Sequence, residues 1–269
     1  MKTLLTILIL LAPVTVLGYG ITGGRDVGLG GAVLLSAPVA SDLASCPFAV
    51  IESRHLVVES GYSRKFELSD MDELYVGAGY RRGFVTGVVG LSQFGKTDYY
   101  VEQLLRAGLA ATYKYYSLGI LISGKMVEFG NRTDDFLAAA LGVAAGVNYG
   151  RYHIGLTADN LNHPRVAENS EPDYRRVGLY VELEGPSRYS ICGRLLLEEH
   201  AKPRATIAQY IQLFRENALY WSVGTQPMTY GGGVEVAYSR LKIRYSVSHH
   251  PVLGFTQAVS LGTGLFGGK

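Results

Sequence analysis

From residue 54 onward the chain alternates apolar or aromatic residues with small or polar ones, in segments of about ten residues. The clearest is Leu241-Lys242-Ile243-Arg244-Tyr245-Ser246-Val247. Successive side chains of a β-strand point to opposite faces. Leu241, Ile243, Tyr245 and Val247 therefore share one face, and Lys242, Arg244 and Ser246 the other. The same pattern predicts about fourteen strands, over residues 54–63, 74–80, 84–94, 99–113, 116–127, 136–149, 152–158, 175–184, 188–198, 206–214, 218–224, 231–239, 241–248 and 255–263.

The connections between these segments also alternate. After even-numbered strands they are tight: Arg81-Arg82-Gly83, Lys114-Tyr115, Gly150-Arg151, Gly185-Pro186-Ser187, Arg215-Glu216-Asn217 and Ser239-Arg240. After odd-numbered strands they tend to be longer and more polar, as in 64–73, 128–135 and 159–173. An up-and-down outer-membrane barrel has short periplasmic turns and longer outer loops, whereas a soluble sandwich has no reason to alternate them. The predicted fold is all-β: a transmembrane, antiparallel, up-and-down β-barrel.

One face of each strand then meets lipid. Val177, Leu179, Val181 and Leu183 belong to it, as do Leu118, Ile120 and Ile122. A charge facing lipid costs about 2–4 kcal/mol at mid-membrane. Arg176, Glu182, Arg194, Glu198, Glu235 and Arg244 are therefore expected to line the lumen, as a pore wall or an ion-pair network. His153 is expected to face inward as a packed polar residue. Tyrosines near strand ends, among them Tyr99, Tyr113, Tyr116, Tyr149 and Tyr152, suit membrane–water boundaries.

Composition agrees with this picture. Of 269 residues, 34 are Gly, 48% are hydrophobic and only 18% are charged. Helices disfavour that much glycine. A net charge of +2 gives no reason to expect a nucleic-acid partner. Residues 1–18 are expected to be a Sec-type signal peptide cleaved near Gly18, which with the barrel places the chain in the outer membrane of a diderm bacterium. The later apolar run 136–147 is too short for a spanning helix.

Candidate chemistry is sparse. Cys46 and Cys192 could pair in an oxidising compartment or be two unrelated buried residues. No Cys/His cluster has ligand spacing, so neither metal nor cofactor is expected. Gly28-Leu29-Gly30-Gly31 lacks the preceding buried strand, following helix and Lys-Ser/Thr pair of a phosphate loop. Ser246, Ser248, His249 and His250 lie close in sequence, but no acid or amide partner can be assigned to complete a triad, so no catalytic residue and no enzymatic activity are expected.

The N-terminal stretch carries a resemblance. Gly23-Gly24-Arg25-Asp26-Val27-Gly28-Leu29-Gly30-Gly31-Ala32 and Ser41-Asp42-Leu43-Ala44-Ser45-Cys46-Pro47-Phe48 are similar to the opening of the PorV/PorQ group within the FadL-like outer-membrane barrels. That group has an Arg, a Gly-rich stretch, acidic residues and an Asn-Pro-Ala turn. Arg25, the run from Gly28 to Ala32 and Asp42 match, and of the turn only Pro47 survives. Asp159-Asn160-Leu161-Asn162-His163-Pro164 resembles the family's Asn-Leu turn. So does the end of the chain, with Arg244-Tyr245-Ser246 followed by His249-His250-Pro251 and a final alternating strand. The closing Phe266-Gly267-Gly268-Lys269 departs from the usual terminal aromatic.

The resemblance implies a fourteen-stranded barrel over 54–269 and a luminal plug over 19–53, with Arg25, Gly28, Gly30, Gly31, Asp42 and Pro47 as plug residues. It also implies transport of a hydrophobic small molecule, past a movable plug and out through a gap in the wall, or service as an accessory barrel in protein secretion. Membrane lipid, a hydrophobic ligand or a secretion-system protein are the partners implied. A general diffusion porin and a structural, surface-anchoring barrel are the alternatives.

Overall fold

The computed structural model describes residues 23–49, 56–96, 100–130, 136–165, 172–186 and 189–265. The expected signal peptide and its cleavage position, Tyr99 and Phe266 fall outside them.

Fourteen antiparallel strands close into a single barrel. They are β1 (Leu56–Arg64), β2 (Asp72–Arg82), β3 (Val85–Lys96), β4 (Tyr100–Tyr113), β5 (Tyr116–Phe129), β6 (Phe136–Tyr149), β7 (Tyr152–Asp159), β8 (Arg176–Glu184), β9 (Tyr189–Glu198), β10 (Arg204–Gln212), β11 (Ala218–Gly224), β12 (Thr229–Tyr238), β13 (Leu241–His250) and β14 (Gly254–Leu265). Each strand pairs with its sequence neighbours, and β1 pairs with β14, Leu56 opposite Leu265 and Arg64 opposite Gln257. Closure leaves no sheet edge to be desolvated in hydrocarbon. No helix among the described residues is long and apolar enough to cross a membrane.

The two faces of the wall divide as the alternation predicts. Leu118, Ile120, Ile122, Leu179, Val181, Val234, Val236 and Ile243 are exposed on the outside. Lys125, Arg176, Glu182, Glu235 and Arg244 are buried inside. Two-residue turns join β2–β3, β4–β5, β6–β7 and β12–β13, all at the end where β1 begins and β14 finishes. The opposite end carries the longest connection, between Asp159 and Arg176. Most predicted spans shift by one or two residues at an end, so that Arg81 and Arg82 belong to β2 and not to its turn. Strand β13 continues to His250, so His249 and His250 belong to the wall and not to a loop. The turn between β10 and β11 contains a short 3-10 turn over Phe214–Glu216, which ends β10 at Gln212.

A fourteen-stranded cylinder is wider than its own side chains can fill. Residues 23–49 occupy the interior. They form two short helices, α1 (Gly24–Leu29) and α2 (Ala40–Ser45). In each helix the Asp at the third position accepts the backbone N–H that precedes the first turn: Asp26 from Gly23 at 2.9 Å and Asp42 from Val39 at 3.0 Å. Such a bond satisfies one of the donors a helix start leaves free.

Two apolar clusters join this segment to the wall. One gathers Val33, Leu35, Leu43, Cys46 and Phe48 with Tyr75, Val88, Leu104, Leu121 and Tyr180. The other gathers Leu29, Ala32 and Leu34 with Cys192, Ala208, Tyr210 and Tyr220. Phe48 lies flat against Gly146 and Gly155, where any β-carbon would overlap its ring. Cys46 and Cys192 sit in different clusters as free, buried thiols.

Replacing Ile122 by Arg is expected to lower unfolding stability in lipid vesicles by about 2–4 kcal/mol, whereas Ile122→Leu leaves it unchanged; urea titration of the reconstituted barrel measures the difference.

Candidate functional site

The interior holds a built interface between the N-terminal segment and the barrel wall. At its centre Arg25 and Asp42 form an ion pair linking α1 to α2, with both side chains buried. Arg25 also donates to the Ala37 carbonyl at 2.9 Å. Burial pulls the Arg25 pKa down, but the charges of Asp42 and Glu235 outweigh it, so the guanidinium stays charged.

Asp26 is the neighbour that completes this group. Burial pushes its carboxyl well above the ordinary carboxylate range, and the charge of Asp42 pushes it further. Burial and the neighbouring Asp42 charge thus favour the protonated form of Asp26.

Wall side chains reach the segment's backbone at several heights. Glu182 accepts from Ser36 twice, from N–H at 2.8 Å and from Oγ at 2.7 Å. Glu59 accepts from Ser41 N–H at 3.2 Å and Oγ at 2.9 Å. Ser222 donates to the Gly28 carbonyl at 2.9 Å and Thr206 to the Gly30 carbonyl at 3.2 Å. Gly24 N–H donates to the Tyr75 hydroxyl at 3.1 Å.

The remaining predicted residues fall into three places. Glu235 and Arg244 form a buried pair at 2.6 Å. Arg244 continues to Glu59 at 3.3 Å, and Lys242 reaches Glu235 at 3.3 Å. A charge chain thus runs from β12 through β13 to β1 and, by way of Ser41, to α2. Glu198 accepts from Arg176 at 3.0 Å and Arg204 at 2.9 Å, nearer the long-loop end. Arg194 lies against Gly31, with its guanidinium 5.9 Å from the Tyr180 ring centroid. Gly31 has φ +79°, and a β-carbon there would overlap Arg194. Pro47 is fully buried next to Phe48.

Sequence reasoning missed Glu59 and Tyr75 on the wall, and Ser36 and Ser41 on the segment, which make several of the hydrogen bonds between the two. Glu59 had a readable signal: it is the only acid in an otherwise apolar and small strand, Leu56-Val57-Val58-Glu59-Ser60-Gly61. The serine and histidine group does not converge. Ser246 Oγ bonds the Tyr220 hydroxyl at 2.7 Å, His249 packs on Phe255 outside, and His250 Nδ1 accepts from Val252 and Leu253 N–H groups. His153 faces inward at the turn end, with Nδ1 3.0 Å from Asn148 Oδ1. Among the described residues no group of three or more His, Cys, Asp or Glu side chains could hold a metal ion.

Above the segment, toward the long loops, lies a cavity of about 340 Å³. Asp26, Val27 and Gly31 form its floor, and Arg106, Tyr180, Arg194, Leu196 and Tyr230 are among its walls. Beside it the strand ladder of the wall is interrupted. Strand β6 runs past the end of β7, which reaches Val143 and no further. The free edge is met by the following loop. Leu161 N–H donates to the Leu141 carbonyl at 2.9 Å. The Asn162 side chain accepts from Leu141 N–H at 2.9 Å and donates to the Ala139 carbonyl at 2.8 Å.

No family model and no curated protein matches the sequence. Solved structures do match the fold. The CymD monoaromatic hydrocarbon channel aligns with a TM-score of 0.63 and 9% identity over 91% of this chain and 98% of that one. The Pseudomonas putida toluene transporter TodX aligns with a TM-score of 0.61 and 8% identity over 90% of this chain and 96% of that one. Acinetobacter baumannii outer membrane protein Omp33 gives 0.50 and 8% over 79% of this chain and 97% of that one. The fold is that of the hydrocarbon-channel barrels. At such identities the likeness is one of architecture, and it extends to almost the full length of both channel chains.

Removing one partner of a buried pair strands the other charge, at a cost of about 3–5 kcal/mol. Asp42→Asn is therefore expected to loosen the segment and expose the bond after Arg25 to trypsin in the folded barrel, while the double replacement Arg25→Met with Asp42→Leu keeps it protected. The Asp26 carboxyl predicts a pH effect. A carboxyl whose pKa is raised on folding contributes stability that is complete below its unfolded value, roughly pH 4, and lost as pH rises toward the folded value. Trypsin protection at Arg25 should weaken as pH rises above about 4, and Asp26→Asn should abolish that dependence.

Proposed function

We propose that the protein is an outer-membrane transporter of small hydrophobic molecules, with residues 23–49 as the plug that gates its lumen. The observation that carries this reading is the pinned but non-covalent seating of the plug. Apolar clusters and hydrogen bonds to wall side chains hold it, and no disulfide ties it to the wall. A segment held this way can shift as a unit without unfolding the cylinder. Fold similarity to the CymD and TodX channels supports the class of cargo.

In this mechanism cargo enters at the long-loop end and rests in the cavity above α1, against Leu196 and Tyr180. Movement of the plug then opens a path. The β6–β7 seam, where Asn162 stands in for a missing strand neighbour, is the natural place for lateral exit into the bilayer.

A general diffusion porin is disfavoured by the same observation, because an open pore has no use for a segment buried along its length. The narrower placement in the PorV/PorQ group, with a part in secretion, rests on the sequence resemblance alone: Arg25, the Gly28–Ala32 run, Asp42 and Pro47, with the Asp159–Pro164 turn and the closing segment.

Planar-bilayer conductance and liposome uptake together test the reading. The intact barrel should give little steady current yet admit a monoaromatic hydrocarbon, and the pair Glu59→Gln with Glu182→Gln should raise conductance by freeing the plug. Large steady currents from the unaltered protein would establish a porin, and a stoichiometric co-purifying protein without uptake would establish an accessory or anchoring barrel.

A further inference from the structure

The turn end of the barrel carries a ring of basic residues that no part of the transport reading uses. The sequence places a cation in or beside each of the six tight turns: Arg81 and Arg82, Lys114, Arg151, Arg188, Arg215 and Arg240. Among those with described side chains, Arg82, Lys114, Arg151 and Arg240 are exposed. The accessible acids described at this end are Glu184 and Glu216. The long-loop end is different: there Arg64, Lys96 and Lys202 are interspersed with Glu67, Asp70 and Glu199. One rim is thus almost of one sign, and the other is mixed.

The neighbours of these cations set their depth. Lys114 stands between Tyr113 and Tyr115-Tyr116, Arg151 between Tyr149-Gly150 and Tyr152, Arg240 two residues after Tyr238, and Arg82 between Tyr80 and Phe84. Tyr113, Tyr116, Tyr149, Tyr152, Tyr238 and Phe84 are all more than half exposed on the outer face. Tyr115 and Tyr149 from adjacent turns meet edge to face at 5.1 Å, so the band is continuous between them. Amphipathic rings of this kind sit at the head-group level of a bilayer. A cation one or two residues beyond such a ring lies at the phosphates, not out in bulk water.

We propose that this rim is a binding surface for anionic phospholipid in the leaflet at the turn end. Its cations take up phosphate oxygens from successive lipids around the circumference, and the tyrosine band seats the acyl–glycerol boundary. Arg82 and Tyr80 project from the same outward face of β2 and would grip one lipid together. Lys114, with its ammonium 5.5 Å from the Tyr113 ring centroid, shows the same pairing of cation and ring. An acidic soluble protein is a poorer fit, because the cations are spread around a belt of lipid-facing rings and not gathered on one aqueous patch. The proposal depends on the barrel standing in a bilayer and not on what it carries.

The test uses the full-length barrel in nanodiscs of mixed phosphatidylglycerol and phosphatidylcholine. After transfer to detergent, lipids retained by the protein are counted by native mass spectrometry. Each basic residue near an anionic surface favours it by roughly fivefold, so the unaltered barrel should retain phosphatidylglycerol over phosphatidylcholine by at least roughly tenfold. The fourfold replacement Arg82→Gln, Lys114→Gln, Arg151→Gln and Arg240→Gln should bring that ratio near one. An equal loss of charge at the other end, by Lys96→Gln, Arg165→Gln, Arg175→Gln and Lys202→Gln, should leave it high. Both variants must still show the gel shift on heating that marks a folded barrel, and these exposed positions leave the fold intact. Equal retention of the two lipids by the unaltered protein, or loss of preference in the long-loop variant alone, overturns the proposal. So does specific capture of an acidic protein at the turn end without any lipid preference.

Discussion

Backbone hydrogen bonding in hydrocarbon is the constraint from which the rest of this structure follows. A peptide group that meets lipid with no partner costs several kcal/mol, so a β-protein in a membrane must close on itself. Closure by β1 and β14 satisfies that demand. It also creates an interior that fourteen strands cannot fill. The N-terminal segment answers this second demand, and its glycines and small residues are there because the wall's own side chains already take up part of the space.

Polar and apolar contacts divide the labour of seating that segment. The apolar clusters remove surface from water without fixing direction. Glu182, Glu59, Ser222 and Thr206 are directional, and each meets a particular backbone group or serine. Buried ion pairs of the Glu235–Arg244 kind add little net stability against apolar replacements of the same size. Here they join neighbouring strands to one another and, through Glu59, to the segment, so their contribution is to one arrangement over others.

The fold was legible because strand period and membrane solvent impose the same signal. Lys242-Ile243-Arg244-Tyr245 can be placed by alternation alone, and a charge such as Glu182 has nowhere to face but inward. The site was less legible. Arg176, Arg194 and Glu235 were readable as interior, but their partners come from strands far apart in sequence: Glu59 meets Arg244 across 185 positions. Periodicity within a strand carries no information about such meetings. Ser36 and Ser41 were invisible for another reason. They bond through the backbone as much as the side chain, and no local pattern marks a serine that will lie opposite a glutamate. The exact ends of β10 and β13 escaped because Phe214 reads as one more strand residue although it opens a 3-10 turn, and the histidine pair reads as loop although it continues the strand.

The amide of Asn162 finishes the sheet with a side chain where a strand would have used its backbone. Elsewhere around the circumference, parting two neighbours means breaking a ladder whose rungs reinforce one another. Where β6 runs past β7 it means releasing one residue's side chain and one adjacent peptide, although from Val143 to Tyr149 the two strands keep their ladder. Among the described residues, the wall is closed there by fewer bonds than a strand ladder of that length supplies.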